Sequence, residues 1–234
     1  MQKMVWITGA SSGIGRALAI EFAENKKNLI LSSKREKELQ SLGILLSQKN
    51  IEVVSLPLNV QKAEEVERAA SGIGKSYEIS CLINNAGVTS FNSFEDTSLE
   101  EINDIITTNL LGSIYTIKSV LPFMIENKKG TIINIISAAA EKVFTNSSIY
   151  SASKAGLLAF ANVLREEVRK YNIRVINILP GATKTPIWNN EVLEKYGERM
   201  MSPQQLAKLI VDIYSYPANF VAEEIIVKPI KGDL

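Results

Sequence analysis

Apolar residues along this chain fall into two alternating rhythms. Short aliphatic runs at Val5–Ile7, Asn28–Ser32, Ile51–Leu58, Ile79–Ile83, Thr131–Ile136, Ile173–Leu179 and Glu223–Lys228 have the length and composition of buried strands. Between them lie stretches with apolar residues three and four apart, the spacing of helices. Lys34–Gln48 turns Leu39, Leu42, Leu45 and Leu46 inward, with Gly43 weakening it slightly. Gln61–Ile73 reads as a short surface helix. Ser98-Leu-Glu-Glu101 is a capping box opening a long helix with Ile102, Ile105, Ile106, Leu110, Ile114 and Ile117 on its apolar positions. Pro122 is expected to kink or end that helix. A second long helix spans about Ser148 to Tyr171, and Ser202-Pro203 opens a third with a cap residue followed by proline. Strict alternation, without linker or repeat, predicts one α/β domain over residues 1–234. Its architecture is a doubly wound, seven-stranded parallel sheet with helices on both faces. The polar and aromatic stretch at about 185–202 is expected to form a small lid.

Composition narrows the function classes. With 26 Lys and Arg against 25 Asp and Glu, interspersed, the formal net charge is +1, and no basic run suggests nucleic acid. The absence of histidine and the single cysteine, Cys81, leave no donor set for a zinc site, so no metal is expected. One cysteine in an apolar run also offers no disulfide framework, as in a reducing compartment. The first strand follows Met1 too closely for a signal peptide. No apolar run approaches the about 20 residues that span a bilayer. A cytoplasmic protein without membrane contact is the expectation.

The unusual residues gather where the predicted strands end. Ligands of such sheets bind at the carboxyl ends of the strands, where strand order reverses. Thr8-Gly-Ala-Ser-Ser-Gly-Ile-Gly15 joins the first strand to a helix whose first N–H groups lack partners, a seat for pyrophosphate. Gly9 permits the tight turn, Gly13 close approach to phosphate, and Gly15 packing of helix on strand. Asn59, Asn84-Asn85-Ala86-Gly87, Ser137 and Pro180-Gly181 fall at other strand ends.

A second cluster has the makings of acid–base chemistry. In Tyr150-Ser-Ala-Ser-Lys154 the phenol and the ammonium share one helix face. A tyrosine ordinarily titrates at about 10. A nearby ammonium favours the phenolate, and lowering the phenol's pKa would suit it to general acid–base catalysis. The Ser137 hydroxyl can hold a substrate carbonyl oxygen while Tyr150 protonates it. Asn109, a poor helix former inside the first long helix, is expected to interrupt the helix ladder and hold a water near Lys154.

Together these motifs resemble the short-chain dehydrogenase/reductase family. Thr8-Gly-x-x-x-Gly-x-Gly15, Asn84-Asn-Ala-Gly87, the set Asn109, Ser137, Tyr150 and Lys154, and Pro180-Gly181 with Thr185 stand in family order and spacing, from the first strand to about Glu224. The resemblance implies a Rossmann-type three-layer sandwich with sheet order 3-2-1-4-5-6-7 and hydride transfer between a nicotinamide cofactor and a carbonyl or secondary alcohol. It assigns catalysis to Asn109, Ser137, Tyr150 and Lys154. Cofactor binding falls to Gly9, Ser11, Ser12, Gly13, Ile14, Gly15, Ser33, Lys34, Arg35, Asn59, Val60, Asn85, Ala86, Gly87, Tyr150, Lys154, Pro180, Gly181, Thr183 and Thr185. Two departures stand out. Asn59 replaces the usual Asp that meets the adenine, and the chain stops soon after its last strand, without the longer tail that reaches a neighbouring subunit in some members.

Three finer expectations follow. Ser33, small and neutral, takes the place where enzymes using NADH carry a carboxylate, and Lys34 and Arg35 follow, so NADP(H) is expected over NAD(H). Val88, Phe91, Phe94, Ala138, Ala139, Val143, Phe144, Ile187 and Trp188 are expected to line an apolar substrate pocket. The two long helices carry apolar residues on more than one face and predict a homotetramer or dimer. Two readings compete with a reductase: a regulatory protein that holds a dinucleotide without turnover, and a redox-assisted epimerase.

Overall fold

In the computed structural model, which describes residues 1–217 and 219–234, the first strand, β1 (Gln2–Thr8), buries both of its faces. Successive side chains on a strand point to opposite sides. Val5 and Ile7 therefore join one apolar core, while Met4 and Trp6 join another. The remaining strands are β2 (Asn28–Ser33), β3 (Val53–Pro57), β4 (Tyr77–Asn84), β5 (Gly130–Ile135), β6 (Ile173–Pro180) and β7 (Glu224–Val227). All pair in parallel in the order β3-β2-β1-β4-β5-β6-β7, the order that the family resemblance implies. The order reverses between β1 and β4, so a crevice opens at the carboxyl ends of those strands.

Helices cover both faces. Helix α1 (Gly13–Glu24) and α2 (Glu36–Ser47) bury Leu18, Phe22, Leu39, Leu42 and Leu46 on the side of Val5 and Ile7. On the other side α3 (Ala63–Gly74) contributes Val66, Ala70 and Ile73. Next come α4 (Leu99–Ile106) and α5 (Gly112–Glu126), then α6 (Ser148–Val168), α7 (Asn190–Tyr196) and α8 (Pro203–Ser215). α5 packs beside α3, α6 adds Ala161, Leu164 and Val168 to the same core, and α8 packs beside α1.

The first long helix departs from expectation at its end and meets it at an interruption upstream. It does not end at Pro122 but continues to Glu126. Proline removes one backbone donor, and the burial of Val120 and Met124 on either side holds the turn in place. The helix is also interrupted upstream, because Thr107–Leu111 forms a π turn between α4 and α5. The extra residue of that turn swings Asn109 inward, where it is fully buried. The capping box forms as expected: Ser98 Oγ accepts from the Glu101 N–H at 3.2 Å, and Glu101 Oε2 from the Ser98 N–H at 2.9 Å.

One buried polar ladder was not foreseen. Asn84, Asn134 and Asn177 stand in register on β4, β5 and β6. Asn84 Nδ2 donates to Asn134 Oδ1 and Asn134 Nδ2 to Asn177 Oδ1, both at 3.0 Å. Thr116 of α5 donates to Asn84 at one end, at 2.6 Å, and Asn177 donates to Asn162 of α6 at the other, at 2.9 Å. Every link satisfies a group that would otherwise be costly to bury. The ladder ties the two long helices to the sheet directly behind the crevice.

Candidate active site

The crevice begins at a turn with no room for side chains. A Cβ on Gly15 would sit 2.4 Å from the Gly9 carbonyl oxygen, and one on Gly9 would sit 2.8 Å from the Ala86 Cα. Gly9 also adopts φ +64°, which costs glycine little. Neighbouring strand ends are laced to this turn. Thr8 Oγ1 accepts from the N–H groups of Asn85 and Ala86 at 3.0 and 3.1 Å, and Asn85 Nδ2 donates to the Thr8 and Gly9 carbonyls at 2.9 and 3.1 Å. Asn85 thus spends its side chain on holding the loop.

The turn fits a dinucleotide's pyrophosphate. Ser12 precedes α1 with extended backbone and makes no side-chain cap, so the first N–H groups of the helix face the crevice unbonded among the described residues. Arg35 folds over the same turn, donating to Ser11 Oγ at 3.1 Å and to Ser12 Oγ. A guanidinium resting on two hydroxyls can exchange them for phosphate oxygens.

From this turn a cavity of about 750 Å³ runs in both directions. One end is walled by Ser33, Lys34, Arg35, Leu58 and Val60, and the other by Ser137, Tyr150, Phe144, Ile187 and Trp188. Of the cofactor residues expected from sequence, Gly9, Ser11, Ser12, Gly13, Ile14, Asn85, Ala86, Gly87, Pro180, Gly181, Thr183 and Thr185 also reach the wall. Gly15 and Asn59 stand behind it. Asn59 Oδ1 is turned onto the N–H of Gln61 at 3.1 Å, an Asx turn that caps its own loop. Of the expected substrate-pocket residues, Phe94 and Val143 point outward instead, 64% and 96% exposed.

Ser137 lies two residues past β5 in extended conformation, its Oγ accepting from the Ala139 N–H at 3.1 Å. α6 carries Tyr150 and Lys154 against it. Lys154 is 4% exposed, donates to the Ile135 carbonyl at 2.9 Å, and places its ammonium 5.8 Å from the Tyr150 ring centre. Burial loosens the lysine's proton, lowering its pKa to about 8. Burial also raises the Tyr150 phenol above its ordinary value, and the Ser137 hydroxyl pulls it back only in part. The phenol's pKa is therefore raised, not lowered as expected: desolvation of the phenolate dominates, and the one opposing contribution comes from Ser137.

Asn109 approaches from the π turn. Its Oδ1 accepts from the Val88 N–H at 2.8 Å, and its Nδ2 donates to the Val88 carbonyl at 2.9 Å and to Ser153 Oγ at 3.0 Å. A Cβ on Gly87 would lie 3.3 Å from Asn109 Oδ1 and 3.6 Å from Lys154 Nζ, so glycine keeps open a gap shared by both groups.

Thr108, Asp233 and Leu234 reach the cavity without a sequence signal, and Phe91 makes a contact there that its sequence position did not specify. Phe91, expected in the pocket, stacks on Trp188 with ring centres 4.8 Å apart and planes 7° from parallel, joining the loop after β4 to the 185–202 segment. Thr108 of the π turn lines the wall. So do Asp233 and Leu234, beyond the last strand, with Asp233 paired to Lys142 at 2.9 Å and Lys228 at 3.0 Å. No periodicity or motif marks these positions.

Fold and cavity together define a dinucleotide-binding oxidoreductase. A family model described as short chain dehydrogenase matches residues 3–195, and the chain belongs to that family. A sepiapterin reductase of Chlorobaculum tepidum is 34% identical across 100% of this chain and 99% of its own length. An uncharacterized oxidoreductase of Staphylococcus aureus strain MW2 is 30% identical over 97% of each protein. Among solved structures, an alcohol dehydrogenase from the archaeon Thermococcus sibiricus, complexed with 5-hydroxy-NADP, matches with a TM-score of 0.91. It is 25% identical and the match covers 100% of this chain and 99% of that one. Membership makes the chain an NAD(P)-dependent enzyme acting between CH–OH and C=O.

The buried lysine gives a stability test. Lys154 binds its proton less tightly in the folded protein than at the ordinary value of 10.5, so its charge costs stability below about pH 8. That cost fades as pH rises from about 8 to 10.5. Urea titrations should show the parent gaining roughly 2–3 kcal/mol relative to Lys154→Met across that window. Parallel curves for the two proteins would contradict the assignment.

Proposed function

We propose that the protein is an NADP(H)-preferring reductase or dehydrogenase of a small, largely apolar carbonyl or secondary alcohol. The observation that carries this reading is the convergence of Ser137, Tyr150 and Lys154 with the glycine turn on one cavity. The cofactor supplies or accepts the hydride at its nicotinamide. The remaining work falls to side chains. Ser137 donates a hydrogen bond to the substrate oxygen and holds it beside the Tyr150 hydroxyl. In reduction Tyr150 gives its proton to that oxygen, and in oxidation it takes the proton back. Lys154, charged below about pH 8, stabilises the phenolate left behind and offers a donor to the cofactor ribose. Asn109 and Lys154 flank the gap at Gly87, which supports a proton route from the phenol through that gap.

Tyr150→Phe should reduce kcat by about 10²–10⁴-fold while cofactor affinity stays within a few-fold. Steady-state kinetics on a responsive substrate, followed by nicotinamide absorbance, would read this. Activity within about threefold of the parent would rule out the acid–base role.

The cofactor preference is supported by the adenosine end of the cavity. Lys34 and Arg35 line it, and the one carboxylate side chain on the described wall, Asp233, lies far along it beside Gly181. A single charge-assisted hydrogen bond from either cation to a ribose phosphate would favour NADPH by about ten- to hundred-fold. Ser33→Asp combined with Lys34→Ala should reverse that ratio of kcat/KM. A parent that prefers NADH, or a ratio unchanged in the variant, would overturn it.

The substrate wall of Val88, Phe91, Ala138, Ala139, Phe144, Ile187 and Trp188 supports an apolar carbonyl compound, with the 185–202 segment acting as a lid. The parallel Phe91–Trp188 pair favours a flat ring, and the name of the Chlorobaculum relative puts sepiapterin first in a substrate screen.

A homotetramer or dimer through the two long helices is supported by half-buried Leu110, Leu111, Ile114, Tyr115, Leu158 and Phe160 and exposed Val163. Leu157 and Ala161 face the monomer's own core and add nothing to that surface. Light scattering at micromolar concentration should report two or four chains, and a single-chain mass would refute the assembly. The one cysteine, a buried free thiol, supports a cytoplasmic location.

A further inference from the structure

We infer that Gln61 is a positioning residue for cofactor choice: its side-chain amide holds the Lys34 ammonium at the adenosine end of the cavity, where the ribose phosphate of NADP(H) would lie. The inference rests on the NADP(H) reading above.

Gln61 lies between β3 and α3, and its backbone N–H is already fixed by Asn59 Oδ1. Its Oε1 accepts from Lys34 Nζ at 2.8 Å. Its Nε2 points the other way, toward Thr108 Oγ1 at 2.9 Å, Thr107 Oγ1 at 3.2 Å, and a carboxylate oxygen of Asp104. An ammonium only donates and a carboxylate only accepts, so this orientation of the amide is the one its partners permit. Gln61 is therefore braced on the π turn and presents an oriented carbonyl oxygen to Lys34.

Lys34 itself is exposed, and among the described residues no carboxylate lies within ion-pair distance of it. A free lysine on a surface samples many rotamers and must be ordered before it can meet an anion. A carboxylate tether would order it but neutralise it. A neutral amide orders it and leaves its charge for a ligand. Asp104, one amide removed, polarises the Gln61 carbonyl without contacting the lysine.

The experiment is a double-mutant cycle on the whole protein. Parent, Lys34→Met, Gln61→Met and the double variant are titrated calorimetrically with NADPH and NADH, with melting temperatures as the folding control. Gln61→Met should raise the NADPH Kd by about three- to tenfold, the ordering cost of one long side chain, and leave the NADH Kd within about twofold. The double variant should bind NADPH no more weakly than Lys34→Met, because the amide acts through the lysine. Gln61→Glu, which still accepts from Lys34 but cancels its charge, should also lose NADPH affinity. Equal losses for both cofactors, or additive losses in the double variant, would overturn the inference. A parent that does not favour NADPH, or a Lys34→Met variant with an unchanged ratio, would refute the NADP(H) reading and this inference with it. A ratio that falls in Lys34→Met but not in Gln61→Met would refute this inference alone.

Discussion

Backbone-to-backbone contact at the glycine turn is the constraint on which the site depends. The Cα of Gly15 packs on the Gly9 carbonyl so closely that a methyl group would meet that oxygen at 2.4 Å. This contact brings the start of α1 over the end of β1. With Thr8 and Asn85 hydrogen-bonded across it, it also fixes where the loop after β4 begins. Gly87 and Val88 follow on that loop, and Val88 is the backbone partner of Asn109. One steric fact at the first strand–helix junction therefore sets the geometry of the phosphate seat and reaches the acid–base cluster.

The acid–base cluster obeys a different constraint, burial of charge. Lys154 can remain an ammonium at neutral pH because its one fixed partner, the Ile135 carbonyl, belongs to a strand end that the sheet holds rigid. The asparagine ladder across β4, β5 and β6 reaches α6 through Asn162, two turns beyond Lys154, and α5 through Thr116. Polar groups behind the crevice thus clamp the helix that carries Tyr150 and Lys154, while apolar groups bury it. Both the raised phenol and the lowered lysine record the same desolvation, which this packing maintains.

What the sequence made legible follows from what local pattern encodes. Strands and helices were readable because each element's apolar face matches its own period, whereas the sheet order came from the resemblance of the motifs to a known family. Ser137, Tyr150, Lys154 and the glycine turn were readable because their spacing carries the chemistry. The sequence pattern implied an interruption at Asn109, and the π turn is there; it also implied a kink or an end at Pro122, and the helix does not end there because long-range burial overrides the local rule. Gln61, Thr108, Asp233 and the asparagine ladder were not readable. Each works through a partner remote in sequence: Gln61 through Lys34, Asp233 through Lys142, and Asn84 through Asn134. Nothing in one chain's periodicity registers such pairs. The expectation for Tyr150 erred differently, since it weighed the lysine's charge without the desolvation that only the folded environment supplies.

The π turn joins the two ends of the cavity into one device. A regular helix over Thr107–Leu111 would place successive side chains about 100° apart, and one extra residue in a turn resets that phase. Here the reset turns Asn109 inward to Val88 and Ser153, while Thr107 and Thr108 remain on the side that meets Gln61. Gly112 makes the close fit possible, since a side chain there would strike Val60 at 2.8 Å. A rare helical geometry thus stands between Gln61, which accepts from Lys34, and Asn109, which borders the space at Gly87.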